Sequence, residues 1–538
     1  MRRILTDAGV TVVKIDERSF PGERWLIAFV PEEFLAFAQS LAGDIEQQLN
    51  TSLADESYSF AVTFRPQKTD VEVPDKATEG GRLAQPNVTQ LIQLLEARSR
   101  TSDALPSLSY VEDPRASLAA VAASRHHLIY GRRGVGKTAL LLEAKRIAER
   151  DGHVAVWMNA HTLRHLDAAS AFTVIADSIL DALQKQSGTS QSPTIKRLEQ
   201  EHEEIRALYK ERSIDNRAVA VRLPAINQAL RGLLRQGIAR LYLFLDDFYL
   251  MPSAEQPQLL DHIAGMLRDC DAWIKVASIE RLTRPFEPST KVGLEIPHDA
   301  SKIDLDVTLE DPAAAQSFLE AVLSNYVTAA GIRQPSSIAK PEALGRLVIA
   351  SGGVPRDYLN LFASSIVFAR QSRPQAREIG REDVAKASNE SSRSKKRDLE
   401  QDVSSETSST LLSALEKLSS QVKAQGYAYF RVDMAEQDRP GYEILAQLVD
   451  LRFTHLIQAG LSDQHKAGKK YEAYMLDLSE YADVRLKRSL EVLDLETGKW
   501  VRRLTGKAGT KQKLAGTQLR DYLRRSPLVH LDSIDTPR

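Results

Sequence analysis

The stretch 131–138 reads GRRGVGKT, and its G-x-x-x-x-G-K-[ST] spacing is the arrangement that cradles a phosphate chain. Gly131, Gly134 and Gly136 permit positive φ, so the backbone can curl and aim successive N–H groups at anionic oxygens. Arg132, Arg133, Val135 and Ala139 complete the loop and its exit and count as contact positions with them. Lys137 brings a mobile positive charge for the β and γ phosphates, and Thr138 offers a hydroxyl to Mg²⁺. The helix expected from Ala139 to Arg150 points the positive end of its dipole at the same anion. A second run, LYLFL from Leu241 to Leu245, ends in Asp246 and Asp247. Such a run suggests a buried parallel strand whose C-terminal tip reaches the site. Asp246 would hold the Mg²⁺ shell through water, and Asp247 stands where many nucleotide hydrolases carry a water-polarising glutamate. An aspartate is one methylene shorter, so slow turnover is expected. Separately, the loop could be a turn with a solvated lysine and the acids a helix cap. Together they point to ATP and Mg²⁺.

A parallel sheet has to position these groups. Strands are expected at 126–130, 153–160, 241–247, 273–279 and 292–297, with helices between them, which is the α/β alternation of a sheet covered on both faces. The expected domains are a small α/β unit at 1–68, a linker and helix at 69–107, the α/β P-loop core at 108–304 and a helical lid at 305–400. A winged-helix-like unit at 405–484 and a basic extension at 485–538 follow. The first unit is read as strands 11–16, 25–30 and 57–66 around one helix. Within the core, the charged stretch IKRLEQEHEEIRALYKER reads as a solvated helix laced with i,i+4 pairs. In the C-terminal region GYEILAQLVDLRFTHLIQAG reads as a helix, AYMLDLSE as a strand and YAYFRVD as a possible strand. The tail 485–525 holds twelve Lys and Arg residues against Glu491, Asp494, Glu496 and Asp521, with Trp500 and Tyr522 interleaved. A basic segment beside a winged helix suits phosphate-backbone contacts; a solvated surface is the plainer reading.

Composition narrows the field. At 538 residues the chain has room for three or four domains, and 43% apolar content suffices for their cores. A formal net charge of −1 gives no global basic field, so any DNA contact must be local. Cys270 is the only cysteine, which excludes a disulfide framework and a cysteine metal cluster. No apolar run approaches the ~20 residues of a membrane span, and the N-terminus MRRILTDAG lacks a signal-peptide core. A cytoplasmic protein without a membrane partner is expected.

With these motifs in place, residues 108–480 resemble the AAA+ ATPases of the origin-recognition type, and more loosely the signalling STAND ATPases. The resemblance rests on GRRGVGKT, on LYLFLDD, on the strand VASI followed by ERLTR (280–284), and on SGGVPRDYL (351–359), with REDV (381–384) opening a further lid helix. It implies that Arg356 reaches the γ-phosphate when the lid closes. It also implies a nucleotide-sensing role for Ser278 and an arginine, Arg281 or Arg284, acting on a neighbouring subunit's nucleotide; Arg284 is the candidate retained. Lys137, Asp247, Arg356 and Arg284 form the expected catalytic set, and Thr138 and Asp246 the metal set. The Asp-Asp pair departs from the family's Asp-Glu, and the first 100 residues have no counterpart in it. The resemblance also implies a homo-oligomer; the expected function is a nucleotide-switched ATPase that binds DNA through 410–525 and controls a partner or effector protein. The alternative is a STAND-like signalling ATPase that assembles on a protein partner without DNA. A nuclease built on Asp494, Glu496 and Lys499 has suitable residue types at unsuitable spacing.

Overall fold

The computed structural model describes residues 14–20, 23–52, 59–66, 81–97, 110–187, 192–209, 214–235, 239–402, 405–463, 468–482, 490–504, 511–514 and 516–534, together with Leu5, Val12 and Lys466. They divide into two units: Glu112–Asp306, and Met1–Val111 with Val307–Arg538. Each unit has its own buried apolar cluster.

At the N-terminus, β1 (Lys14–Phe20) and β2 (Glu23–Val30) pair antiparallel, and β3 (Ser59–Pro66) joins β2 in parallel. Helices α1 (Glu32–Ser40) and α2 (Ala42–Ser52) make the crossover, so one expected helix is two. The first strand runs later than 11–16, to Phe20, because it pairs with β2 as far as Glu23. Of the expected linker, 67–80 and 98–109 lie outside the described residues. The intervening α3 (Pro86–Ala97) buries Val88, Leu91, Leu94 and Leu95, and Arg370 Nε donates to Leu83 O at 2.7 Å. That segment is therefore packed rather than a free connection.

The central unit holds α4 (Ser117–Ala122), β4 (His126–Tyr130), α5 (Lys137–Arg150), β5 (Val154–Asn159), α6 (Ala168–Ser187), α7 (Pro193–Tyr209), α8 (Asn216–Leu234), β6 (Leu241–Asp246), α9 (Gln256–Leu267), β7 (Ala272–Ser278), the short pair β8 (Phe286–Glu287) and β9 (Val292–Gly293), and β10 (Ala300–Asp304). Five strands form one parallel sheet in the order β10-β4-β7-β6-β5. All of β6 is buried, as expected of a strand with helices on both faces. Each of its Leu and Phe side chains contributes roughly 1.5–3 kcal/mol by leaving water. The expected strand at 292–297 is a correction. Only Val292 and Gly293 are extended, in a two-residue hairpin with Phe286 and Glu287, and the fifth sheet strand is Ala300–Asp304. That strand is an edge with every second residue exposed, so it carries no apolar run to advertise it.

Helix α7 corrects a second expectation. Ile195, Leu198, His202, Ile205 and Leu208 form a buried stripe at helical spacing. Its charges run to neighbouring helices instead of along itself: Arg206 Nε donates to Asp177 Oδ1 at 2.9 Å, and Arg222 pairs with Glu204 at 2.6 Å.

Beyond the central unit come α10 (Pro312–Ala329), α11 (Pro341–Ser351), α12 (Pro355–Ser372), α13 (Arg381–Asp402) and α14 (Ser405–Ala424). The polar stretch from Ser388 continues α13, burying Ser388, Ser392 and Leu399. Then follow β11 (Tyr429–Asp433), α15 (Pro440–Asp450), β12 (Thr454–Ser462), β13 (Lys470–Leu476), β14 (Glu491–Glu496), β15 (Lys499–Leu504), β16 (Gln512–Lys513) and α16 (Gly516–Arg525). The expected helix 441–460 stops at Asp450. Arg452 takes φ 64, and Thr454–Ser462 turns into a strand paired with β13. Strand β13 starts at Lys470 and ends at Leu476, so Leu478–Glu480 is a 3-10 turn. Sheet order is β11-β13-β12, all antiparallel.

Strand β14 lies against α11 so closely that a Cβ on Gly345 would collide with Leu495 O. Around this contact Arg381, Arg503 and Arg346 pair with Asp494 at 2.8, 3.3 and 3.5 Å. Glu496 pairs with Arg503 and Lys511. Asp494 and Glu496 are thus committed to a buried ion-pair network, which removes the nuclease reading of these acids.

Candidate functional site

Five parallel strands end side by side at the sheet's C-terminal edge. Asp304 is opposite Tyr130, Tyr130 opposite Ser278, and Asn159 opposite Asp246. The phosphate-loop sequence leaves this edge after Tyr130 and re-enters as α5 at Lys137. Gly136 caps that helix at φ 110, a conformation that costs most side chains dearly. Gly131 has a second constraint: a Cβ there would stand 2.8 Å from Val135 Cγ2. Val135 is buried and pins the loop's middle.

The loop's cations are held in three different ways. Arg132 is buried, and both its main-chain N–H (3.0 Å) and its Nε (3.1 Å) donate to Asp306 Oδ1. Arg133 is exposed, with its guanidinium carbon 5.4 Å from the centre of the Tyr249 ring. Lys137 Nζ donates to Gly131 O at 2.6 Å and to Arg132 O at 3.0 Å. Half-buried Thr138 lies on the first turn of α5 and Ala139 follows it. Main-chain N–H groups at a helix start, with a lysine beside them, form a receptor for an anion.

Thr138 Oγ1 donates to Asp246 Oδ2 at 2.8 Å, which joins the loop to the tip of β6. Burial, then the Asp247 charge beside it, pushes the Asp246 carboxyl up to about 6. Asp247 takes φ 52 and turns the chain into the 3-10 segment Phe248–Leu250. Its carboxylate accepts a hydrogen bond from Asn159 Nδ2 at 3.2 Å. The sequence reading passed over Asn159. Its signal was slight: one amide ending the strand next to the acidic pair, visible only once the strand order is known. Asp306 was missed likewise, being far from Arg132 in sequence.

The remaining expected residues are spread out. Ser278 is buried at the tip of β7, with its Oγ 2.5 Å from Thr283 Oγ1. Arg284 follows on the next loop, paired with Glu287, and Arg281 is exposed on the turn between. Arg356 belongs to the other unit, exposed on the first turn of α12. Its neighbour Asp357 pairs with Arg452 at 2.8 Å and Lys395 at 3.4 Å. Among the described residues, no group of three or more His, Cys, Asp and Glu side chains could hold a metal. No described helix is long and apolar enough to cross a membrane.

Residues 115–269 match the AAA ATPase domain family. No curated protein matches the chain significantly. Among solved structures, it is similar to the Aeropyrum pernix ORC1 protein in complex with DNA, at 15% identity over 70% of this chain and 94% of that one, with a TM-score of 0.34. It is also similar to a variant of Thermotoga maritima RuvB, at 14% identity over 50% of this chain and 64% of that one, TM-score 0.27. For C. elegans PCH-2 the figures are 11% identity, 61% and 76% coverage, and a TM-score of 0.25. Overlap this partial says nothing of what the present chain binds. The family match falls on the segment that carries both motifs, and the five-stranded order places those motifs at one sheet edge. The unit 112–306 thus has a P-loop ATPase fold and contains the AAA ATPase domain match at residues 115–269.

Proposed function

We propose that the chain is an ATP-driven switch that binds DNA through its C-terminal region and controls a partner protein. In the ATPase unit, the loop amides and Lys137 bind the phosphates, and Asp247, oriented by Asn159, positions the attacking water. The oxygen donors Thr138 and Asp246 suit a hard cation, and the raised Asp246 carboxyl is what a buried acid awaiting a positive partner looks like. Mg²⁺ held there would neutralise phosphate charge. Arg356, Arg284 and Ser278 keep their proposed roles as responders to the γ-phosphate, with Arg284 acting on a second copy of the chain in a homo-oligomer. No helix suited to a membrane was found among the described residues, and a cytoplasmic setting is part of this proposal.

The observation that supports DNA binding is the order α14–β11–α15–β12–β13, with β13 between β11 and β12. This order supports a winged-helix reading, with the 3-10 turn Met434–Glu436 in place of one helix. Beside it in the sequence, Lys499, Lys513, Arg520 and Arg525 are exposed. Other tail cations are spent internally: Arg502 on Glu491, and Arg503 and Lys511 on Glu496. Arg485, Lys487, Arg488 and Lys507 lie outside the described residues. The internal pairing favours a second reading, a STAND-like ATPase that assembles on a protein signal.

DNA affinity measured across a salt series separates the two. The switch reading expects log K to fall with log salt, and the slope to shrink by about one per charge in Arg520→Ala and Arg525→Ala. A chain that binds no DNA at low salt, yet assembles with ATP and a protein partner, leaves only the second reading.

A further inference from the structure

The phosphate-loop motif leaves Arg132 and Arg133 undefined, and the fold uses them differently. Arg132 is buried against Asp306. Arg133 lies over the face of Tyr249, two residues beyond Asp247 on the turn that Asp247 opens. Burial, and then the field of Asp247, raises the Tyr249 phenol, while Arg133 acts on it in the opposite direction. Guanidinium, phenol and the acidic pair are therefore neighbours. A cation sits at the seam between the loop that wraps phosphates and the acid that faces water. Arg133 is exposed, and its guanidinium both lies over the Tyr249 ring and hydrogen-bonds with its phenol.

We propose that Arg133 is a catalytic residue supplied in cis: it rests on Tyr249 and turns to the γ-phosphoryl oxygens of a bound nucleoside triphosphate. This rests on the ATPase reading of the same site. In hydrolysis the water oxygen bonds to the γ-phosphorus. The bond from that phosphorus to the β–γ bridging oxygen breaks, and its electron pair leaves with the diphosphate. The water's proton passes to Asp247 and on to solvent. Negative charge gathers on the γ oxygens and the bridging oxygen on the way, and the Arg133 fork neutralises it. The contact exists only with a triphosphate, so Arg133 also sets the preference for ATP over ADP.

The test uses the full-length chain. ADP and a non-hydrolysable ATP analogue are titrated calorimetrically into the parent, Arg133→Ala and Arg133→Lys, alongside ATP hydrolysis rates and melting curves. Arg133→Ala should keep its melting temperature and its ADP affinity within about threefold, yet lose at least about tenfold in kcat and most of its preference for the ATP analogue. Arg133→Lys should recover part of kcat, since it keeps the charge without the planar fork. A parental kcat with parental analogue preference in Arg133→Ala overturns the proposal. So does an equal loss of ADP and analogue binding, which would make Arg133 a residue that merely builds the loop. If the parent takes up neither nucleotide, and Lys137→Ala is indistinguishable from it, the ATPase reading itself has failed.

Discussion

Lys137 and Lys275 are both buried in the ATPase unit, and each gives its ammonium to two main-chain carbonyls. Lys137 rises from a loop shaped by glycines and bonds the carbonyls of that same loop, Gly131 O and Arg132 O. Lys275 projects from the middle of β7 and reaches Ala123 O at 2.6 Å, Arg125 O at 2.9 Å and His127 Nδ1 at 3.0 Å. Burial lowers the Lys275 amine to about 7. The first lysine can exchange neutral carbonyls for phosphate by reshaping a few residues of loop, and gains a charge-assisted bond in doing so. The second ties a helix end and two strands together, and no such exchange is open to it. Identical first contacts therefore do not define a ligand-binding lysine; the freedom of the segment bearing it does.

The contrast breaks if the two lysines respond alike. Lys137→Ala should weaken ATP binding by at least about 100-fold in calorimetry and leave the melting temperature nearly unchanged. Lys275→Met should do the reverse, costing about 1–3 kcal/mol in denaturant unfolding because two carbonyls lose their donor, with ATP affinity unaltered. Asn159→Ala sharpens the picture at the third strand tip: turnover should drop by up to about tenfold at unchanged KM, since Asp247 loses its orienting bond.

Smallest are the pH effects, and the two ends of the sheet differ in them too. Burial, then the Lys275 charge, lowers His126 to about 4. The unfolded chain therefore binds more protons than the folded one between about pH 4 and the ordinary histidine value of 6.5. Stability should be fully present above that window and drain away as pH falls through it, which unfolding curves at stepped pH will show. At the other end the Asp246 carboxyl is raised to about 6, so its anion is lost as pH drops below that value. Mg²⁺-dependent ATP affinity should weaken there, and a flat profile down to pH 5 would remove Asp246 from the metal's surroundings.

Much of the ATPase unit could be read from sequence because its signals are local. GRRGVGKT carries its own geometry, and LYLFLDD is an unbroken apolar run with its acids attached. What escaped were pairings between distant segments. Asn159 meets Asp247, Asp306 meets Arg132, and Tyr249 meets Arg133 only after strand order brings them together. Strand Ala300–Asp304 was hidden by its exposed alternation, while VGLEIP nearby looked more strand-like and is extended only at Val292 and Gly293, outside the main sheet. THLIQAGLS fitted a helix by composition, and its pairing with β13 overrode that. The tail was legible as charge but not as partnership: Arg502, Arg503 and Lys511 belong to its basic count and are engaged by acids.

At Gly345 the missing side chain lets a helix touch a strand backbone to backbone, with Asp494 and three arginines closed around the contact. Two elements so joined cannot slide past one another; they tilt together or not at all. Helix α11 leads through Gly352 and Gly353 into the turn that bears Arg356, so the hairpin Glu491–Leu504 is seated on the helix that precedes that arginine. A bulkier residue at position 345 would push the hairpin off that helix.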